Sequence, residues 1–346
     1  MKNKIKNLKR RAKREPIIDK EARVTNDTVA VHREEILRGA RRYIYPLQHT
    51  KHRLVMISIS LFFVVLLGFV GYTSYALYRQ KSTSEFLYKV TKVIPFPVAR
   101  IGSDFVSYES YLFEINHYVH YYENQQELDF NSEAGQLQLA EFKKRALDKV
   151  INDVYVENIA EEKGISVSDA EIDDAIKVVR NQNRLSDSDA ELEAILNDYW
   201  GWSIADFRRS LKDQIYSQKV ASSLDTGAHD RANAALAQLK NGKDFATLAK
   251  EVSEDAATKD NGGEYPFLVD KTNRDIPPKT IDALFALQPG QFSEVVDMGY
   301  GLEIVKNIEV KGSQVRAAHI LFDFKDINEY LNDIKASKKS RAYISF

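Results

Sequence analysis

The longest apolar run in the chain is Leu54 to Tyr78, 25 residues that include no charged side chain. A helix of this length is about 37 Å long, enough to cross a hydrocarbon core of about 30 Å. A cleaved signal peptide is the alternative interpretation, but 53 residues precede the run. The run also exceeds the roughly 7 to 15 residues of a signal core, and no Ala-x-Ala site follows it. The pattern therefore predicts one transmembrane helix that contacts membrane lipid along Leu54 to Tyr78.

Charged residues differ on the two sides of this run. Residues 1–53 contain 16 Lys and Arg against 6 Asp and Glu, whereas the rest of the chain contains 33 against 44. Basic flanks stay in the cytoplasm, so we expect a single-pass protein of the cell membrane with a cytoplasmic N-terminus and extracytoplasmic C-terminal domains. The basic cluster at residues 2–14 is compatible with nucleic acid or anionic lipid; we interpret it as a topology signal and expect no nucleic acid partner.

The chain contains no cysteine. This excludes disulfides, thiol catalysis, cysteine zinc ligands and a lipid anchor on cysteine, so the predicted helix must itself be the anchor. The outer part must be held together by its apolar core, and its about 265 residues are enough for one or two domains.

After a polar stalk at 79–94, the segment 96–102 predicts a short strand that ends at a glycine turn. Apolar positions then recur at helical spacing, as in Tyr111, Leu112 and Ile115. Gly164 is typical of a helix end, and Ser168 with Glu171 predicts a capping box for the next helix. A further helix is predicted over 187–199, and another begins after Ser203. Residues 95–224 are therefore expected to form a helical domain.

Four segments of this region carry a resemblance to a known family. They are VARIG at 98–102, ALDKVI at 146–151, GISVSDAEI at 164–172 and WSIADFRRSL at 202–211. In this order they resemble the N-terminal chaperone domain of the SurA family. The resemblance implies a helical module without chemistry of its own, which cradles unfolded polypeptides.

Residues 225–346 have a mixed pattern. Two short helices are predicted over 228–250 with an Asn241-Gly242 turn between them, and a third helix after Ile276-Pro277-Pro278. A Pro289-Gly290 turn and alternating apolar residues near Val296 and Ile304 then predict strands. This part is therefore expected to be an antiparallel sheet with flanking helices.

Five motifs here resemble the parvulin-type peptidyl-prolyl isomerases. They are DFATLA at 244–249, SED at 253–255, GGE at 262–264, ALFALQPGQFS at 283–293 and YGLEIVK at 300–306. Parvulins begin with a strand that contains His-Ile-Leu, and here that tripeptide follows the other motifs, at His319 to Leu321.

Two interpretations of the displaced strand are open. Residues 302–310 and 314–322, joined by a turn at 311–313, are predicted to form a hairpin that delivers the strand from the other end of the domain. The chain would then be a circular permutant, which closely spaced termini tolerate. Alternatively, His319 begins a second, truncated parvulin repeat.

The resemblance implies the site residues. His319 matches the first active-site histidine of the parvulins, Asp255 matches their Cys or Asp position, and Glu303 stands where they have a second histidine; we take these three as the catalytic candidates. The substrate-binding candidates are Ile276 at a Met position, Thr280 at a Phe position, Phe285 and Tyr300. Rotation about a prolyl amide needs no nucleophile, so no metal or cofactor is expected.

Taken together, the sequence predicts an α+β protein with one transmembrane helix, a mostly helical SurA-like chaperone domain and a parvulin-like antiparallel sheet with flanking helices. The layout is similar to the membrane-anchored foldases of the SurA, PpiD and PrsA type. It implies an extracytoplasmic folding factor whose partners are unfolded or proline-containing polypeptides and the secretion channel. Prolyl isomerase activity is left open, because Thr280 and Glu303 depart from the family pattern. The alternatives are a non-catalytic holdase chaperone and a structural envelope protein.

Overall fold

The computed structural model describes residues 25–44 and 47–346, which form two compact units, one ending at Ser74 and one from Tyr75 to Phe346. In the first unit, helix α1 spans Asn26–Ile44. Helix α2, Leu47–Tyr78, begins in the first unit and ends in the second. The basic cluster predicted at residues 2–14 lies outside the described residues.

The predicted apolar helix lies within α2. Its stretch His52–Tyr78 is the one helix of the described residues that is long and apolar enough to cross a membrane. Large side chains along it are exposed, for example Leu61 at 61% and Phe62 at 63%. A core helix of a soluble protein would bury these side chains against its neighbours. The chain thus has an apolar helix near its N-terminus with the length and composition of a membrane anchor.

The helical part of the second unit begins with six helices and a β-hairpin, which lie within residues 85–224. Serine side chains cap the starts of these helices: Ser168 and Ser203 form capping boxes with Glu171 and Asp206, and the box predicted at Ser168 is therefore confirmed. The elements are α3 Glu85–Val93, β1 Pro97–Ile101, β2 Asp104–Ser107, α4 Tyr108–Asn124, α5 Glu133–Lys163, α6 Asp169–Gln182, α7 Asp189–Trp200 and α8 Ile204–Leu224.

The following residues form a sheet with flanking helices. The elements are α9 Thr226–Lys240, α10 Phe245–Val252, a 3-10 turn Lys259–Asn261, α11 Pro278–Phe285, β3 Val296–Asp297, β4 Gly301–Lys311 and β5 Gln314–Asp323. Strands β3, β4 and β5 are consecutive neighbours and antiparallel. The α+β fold predicted from the sequence is confirmed.

The two faces of this sheet are covered by different helices because side chains alternate along each strand. On one face, Leu302, Ile304 and Ile320 pack with apolar residues of α9 and α10. On the other, Val305 and Val315 pack with apolar residues of α11. The long β4–β5 hairpin closes with Lys311 opposite Gln314, so the predicted hairpin is present and turns at Gly312 and Ser313.

Strand β5 is the last strand of the three, and its outer side is covered by a loop. Beyond β4, its other neighbour is the loop segment that contains Glu264 and Val269, which form bridges to Ala318 and Val315. The strand with His-Ile-Leu therefore belongs to the same sheet as β4, which carries residues 301–306 of the YGLEIVK motif. This placement favours the permuted arrangement over a second, separate repeat.

The chain then returns to the helical part. Helix α12, Ile327–Ser337, packs on α5 and α8, and strand β6, Ser340–Ala342, pairs antiparallel with β1. The sequence places residues 326–346 in the parvulin-like part, and that domain boundary stays a prediction. Asp225 links the two segments that connect the helical part to the sheet. It accepts hydrogen bonds from Ala228 N–H at 2.8 Å and from Lys325 N–H at 3.0 Å.

Candidate functional site

His319 is held at the middle of β5 by a close approach of the neighbouring loop. Its N–H donates to the carbonyl of Gly263 at 2.8 Å. Gly263 has φ +80°, and a Cβ at this position would lie 2.0 Å from the carbonyl oxygen of His319. Only glycine fits a backbone that is both left-handed and this close. The Gly-Gly motif therefore fixes the loop against the histidine strand.

Glu303 reaches His319 through the register of the hairpin. Glu303 is opposite Leu321 and Val305 is opposite His319, so Glu303 and His319 lie on the same sheet face, diagonally across two strands. Glu303 Oε1 lies 2.6 Å from His319 Nδ1. Both side chains are nearly enclosed, with Glu303 2% and His319 7% exposed.

Asp255 approaches the other ring nitrogen. The segment after α10 is fixed beside β5, because Glu254 N–H donates to the carbonyl of Leu321 at 2.9 Å and Ser253 Oγ accepts from Leu321 N–H at 3.2 Å. Asp255 Oδ2 then lies 2.8 Å from His319 Nε2. The three catalytic candidates of the sequence are thus brought together.

The two carboxylates decide the protonation state of the ring. Burial alone lowers the pKa of His319, but hydrogen bonds and charge attraction from Glu303 and Asp255 outweigh it, so that its pKa is raised. Burial acts to raise the pKa of Asp255, but hydrogen bonds from Thr258, the Ala257 N–H and His319 outweigh it and lower that pKa. With a carboxylate at each nitrogen, both nitrogens must donate. The geometry and the raised pKa of His319 therefore favour a doubly protonated ring between two carboxyl groups.

Two further residues complete the site, and neither is a candidate from the sequence. The Tyr265 ring stacks on the imidazole with centroids 4.5 Å apart, and its hydroxyl donates to Glu303 Oε1 at 2.9 Å. Burial and the charge of Glu303 raise the pKa of Tyr265, which keeps its proton in place. Thr258 is 5% exposed, donates to Asp255 Oδ2 and lies 2.8 Å from His319 Nε2.

The predicted substrate-binding residues are distributed differently. Thr280 is fully buried and donates its hydroxyl to Glu303 Oε2. Ile276 is 4% exposed and packs in the apolar core beneath α11. Tyr300 is 50% exposed beside the site, whereas Phe285 is half-buried at the end of α11. The structure therefore joins Thr280 to the charged cluster and places Ile276 in the core; the binding roles of all four remain predictions.

A cavity lies apart from His319 in the described part of the chain. It has a volume of about 570 Å³ and lies at the far end of the hairpin, beside Phe285, Asn307 and Val315. The residues of the charged cluster do not line it. At His319 the stacked ring of Tyr265 covers the imidazole, which is 7% exposed.

Two family models match the chain. Residues 47–221 match the SurA-like N-terminal domain, and residues 215–309 match the PPIC-type PPIase domain, described as rotamase. The second match ends before β5, so His319 lies beyond it.

Curated relatives cover parts of the chain. The protein is 29% identical over 234 residues to a chaperone SurA from Albidiferax ferrireducens, with 51% of this chain and 50% of that protein covered. It is 37% identical over 97 residues to a foldase protein PrsA from Lacticaseibacillus paracasei, with 28% and 32% covered. It is 28% identical over 223 residues to a foldase protein PrsA from Caldanaerobacter subterraneus, with 57% and 69% covered. The chain thus spans half of the SurA and about a third of the first PrsA.

Proposed function

Since this chain belongs to the family of the SurA-like N-terminal domain, we propose that it is a membrane-anchored folding factor. It binds unfolded or newly translocated polypeptides outside the cytoplasm, and it acts mainly as a binding chaperone. The relatives named SurA and PrsA support a role in folding, and the parvulin-like part supports contact with proline-containing clients.

We favour a binding chaperone over an isomerase because both carboxylate oxygens of Glu303 already have hydrogen-bond partners within the protein. Its two carboxylate oxygens accept from Tyr265, from Thr280 and from the Nδ1 of His319. The hydroxyls of Tyr265 and Thr280 and the Nδ1 of His319 are therefore bonded to Glu303 rather than free to bond a substrate.

Catalysis of prolyl rotation depends on a dry apolar site that stabilises the twisted amide with placed hydrogen bonds, and the uncatalysed barrier is about 20 kcal/mol. Here the Tyr265 ring covers the imidazole, and the buried position at Thr280 is polar. These features leave little room for a prolyl ring next to His319. They support a slow isomerase or none.

An active parvulin-type isomerase is the second candidate. The close pair of His319 and Asp255, 2.8 Å apart, favours it, because the resemblance assigns active-site roles to both positions. A site of this kind would open by movement of Tyr265.

Two assays on the full chain in lipid nanodiscs separate the candidates. One is a protease-coupled assay of a proline tetrapeptide, and the other measures aggregation of an unfolded client. We expect suppressed aggregation with weak acceleration of exchange, and we expect His319→Ala to leave the suppression unchanged. The matched control is His32→Ala, in the exposed helix α1.

Acceleration equal to that of an efficient parvulin, lost in His319→Ala but not in His32→Ala, would overturn the preference for binding. Absence of both effects would indicate the structural envelope protein.

The proposed orientation rests on charge: the segment up to residue 53 is basic and the remainder is acidic. In this orientation the second unit lies where polypeptides leave the secretion channel. We expect a C-terminal tag to be digested by protease added to spheroplasts and an N-terminal tag to be protected. The reverse pattern would contradict the proposed site of action.

A further inference from the structure

The cavity at the far end of the hairpin has features of a binding site apart from the His319 cluster. It lies among the loop after Val269, the end of α11 and the tip of the β4–β5 hairpin. Val315 lines it, and with a rise of about 3.3 Å per residue along β5 that residue lies about 13 Å from His319. Its volume of about 570 Å³ is typical of ligand pockets.

Apolar side chains form much of the cavity wall. Phe285, Leu287 and Val315 line it, and Val310 lines it with 48% of its surface exposed. This composition suits an apolar side chain of a ligand, which would lose its contact with water on entering.

Asn307 adds an unsatisfied polar group to the wall. The residue is 1% exposed, and its Nδ2 donates to the carbonyl of Leu287 at 3.0 Å. Its backbone N–H and carbonyl are also bonded, to Gln291 and Gly290. Its Oδ1, in contrast, is buried without a donor among the described residues. Buried acceptors of this kind usually have a partner. A rotation of the Asn307 amide that breaks its bond to Leu287 would present Oδ1 to a ligand N–H in the cavity.

Lys271 adds a positive charge. Its ammonium lies 5.6 Å from the centre of the Phe285 ring, and within the described part of the chain it has no carboxylate at ion-pair distance. Asp270 also lines the cavity, but its carboxylate already accepts from Thr272, through the N–H at 2.8 Å and the hydroxyl at 2.7 Å, and from Gln314 Nε2 at 3.4 Å. The charge at the cavity is therefore available to an anionic group.

We propose that this cavity binds a client segment in which an apolar side chain lies next to a carboxylate. The apolar side chain packs against Phe285 and Val315, a backbone N–H of the segment donates to Asn307 Oδ1, and the carboxylate pairs with Lys271. The proposal rests on the proposed function, since it names the class of polypeptide that the parvulin-like part selects.

Binding is measured with the full chain in nanodiscs and fluorescent ten-residue peptides of Gly and Ser with a central Asp-Leu, Lys-Leu or Asp-Ser. We expect the Asp-Leu peptide to bind best. Lys271→Glu should weaken its binding about tenfold, the effect of one lost charge pair, and should improve binding of the Lys-Leu peptide. The control is Lys250→Glu, an exposed lysine of α10 that does not line the cavity.

The location is tested separately with single thiols, because the chain has no cysteine. The Asp-Leu peptide should protect Val310→Cys from a maleimide, and it should not protect Val93→Cys, which replaces a residue 81% exposed in α3. Equal protection of both thiols, or none of Val310→Cys, overturns the proposal.

Equal weakening by Lys271→Glu and Lys250→Glu also overturns it. Aggregation of an unfolded client is measured in parallel with the same samples. If aggregation is suppressed but the peptides do not discriminate, the cavity proposal fails and the chaperone function stands. If aggregation is not suppressed while the Asp-Leu peptide binds, the chaperone function fails.

Discussion

Glu303 Oε1 lies 2.6 Å from His319 Nδ1, and the two residues face each other across a hairpin whose strands are joined by only two residues. The resemblance to parvulins assigns a histidine to position 303, so a carboxylate here changes the charge of the whole site. With Glu303 at Nδ1 and Asp255 at Nε2, both ring nitrogens of His319 are engaged and its pKa is raised.

The first prediction concerns pH. Because the pKa of His319 is raised above its ordinary value of 6.5, its stabilising contribution is complete below about pH 6.5 and is lost as the pH rises through the raised folded-state pKa. Glu303→Gln should lower the pKa of His319 and move this loss to lower pH. Proton NMR titration of the His319 ring and urea unfolding at several pH values measure both effects. An unchanged ring titration in Glu303→Gln would contradict the assigned charge state.

Asp255 acts in the opposite direction. Its pKa is lowered below the ordinary 3.8, so its contribution is present above that pH and is lost as the pH falls through the lowered folded-state pKa. The contribution of Asp255 and His319 to stability should therefore be greatest at pH values between about 3.8 and about 6.5.

The second prediction concerns the buried hydroxyl at position 280. Thr280→Val keeps nearly the same volume but removes the donor to Glu303 Oε2. A lost hydrogen bond to a buried charge costs about 1.5 to 3 kcal/mol of unfolding free energy. Urea unfolding should show this loss, while Thr226→Val, at the exposed start of α9, should change stability by less than about 0.5 kcal/mol. Equal effects of the two changes would refute the role of the hydroxyl.

The third prediction compares two glycines, one that lies close to the His319 backbone and one that has only a positive φ. Gly263 and Gly242 both have positive φ, +80° and +91°, but a Cβ at Gly242 meets nothing within 4 Å. Gly242→Ala should therefore cost about 1 kcal/mol, from strain alone. Gly263→Ala should cost at least about 3 kcal/mol, because overpacking against the His319 carbonyl adds to the strain. Thermal unfolding of both variants makes the comparison.

The fourth prediction concerns α12. Leu331 is fully buried where α12 packs on α5 and α8, so Leu331→Ala should cost about 2 to 5 kcal/mol. Hydrogen exchange should accelerate in α5 and α8 more than in β4 and β5. Leu137→Ala, at a residue 71% exposed, serves as the control. Faster exchange confined to the sheet would show that α12 stabilises the sheet instead.

Sequence patterns predict those elements that depend on residues close together in the chain. The capping box at Ser168 and the β4–β5 hairpin follow from short-range spacing. Asp255, Glu303 and His319 are candidates because of the resemblance to parvulins, and the structure brings them together. Ile276, a binding candidate from the family pattern, is 4% exposed and packs in the core with residues of α11, and its binding role stays a prediction.

Thr258 and Tyr265 lie in irregular segments whose side-chain directions have no periodic signal. Their positions gave only weak hints: Thr258 follows Asp255 by three residues, and Tyr265 follows the Gly-Gly-Glu motif. The pairing of β6 with β1 joins residues about 240 positions apart and leaves no local trace.

The two hydrogen bonds of Asp225 lie where the sheet and its helices are inserted into the helical part of the second unit. The chain leaves the helical part and re-enters it at neighbouring points, next to the Ala228 and Lys325 amides that this one carboxylate binds. A short graft between these points could bypass the whole sheet without stretching the helical scaffold. Such a geometry would let the segment between these two points be removed or replaced without displacing the helices on either side of it.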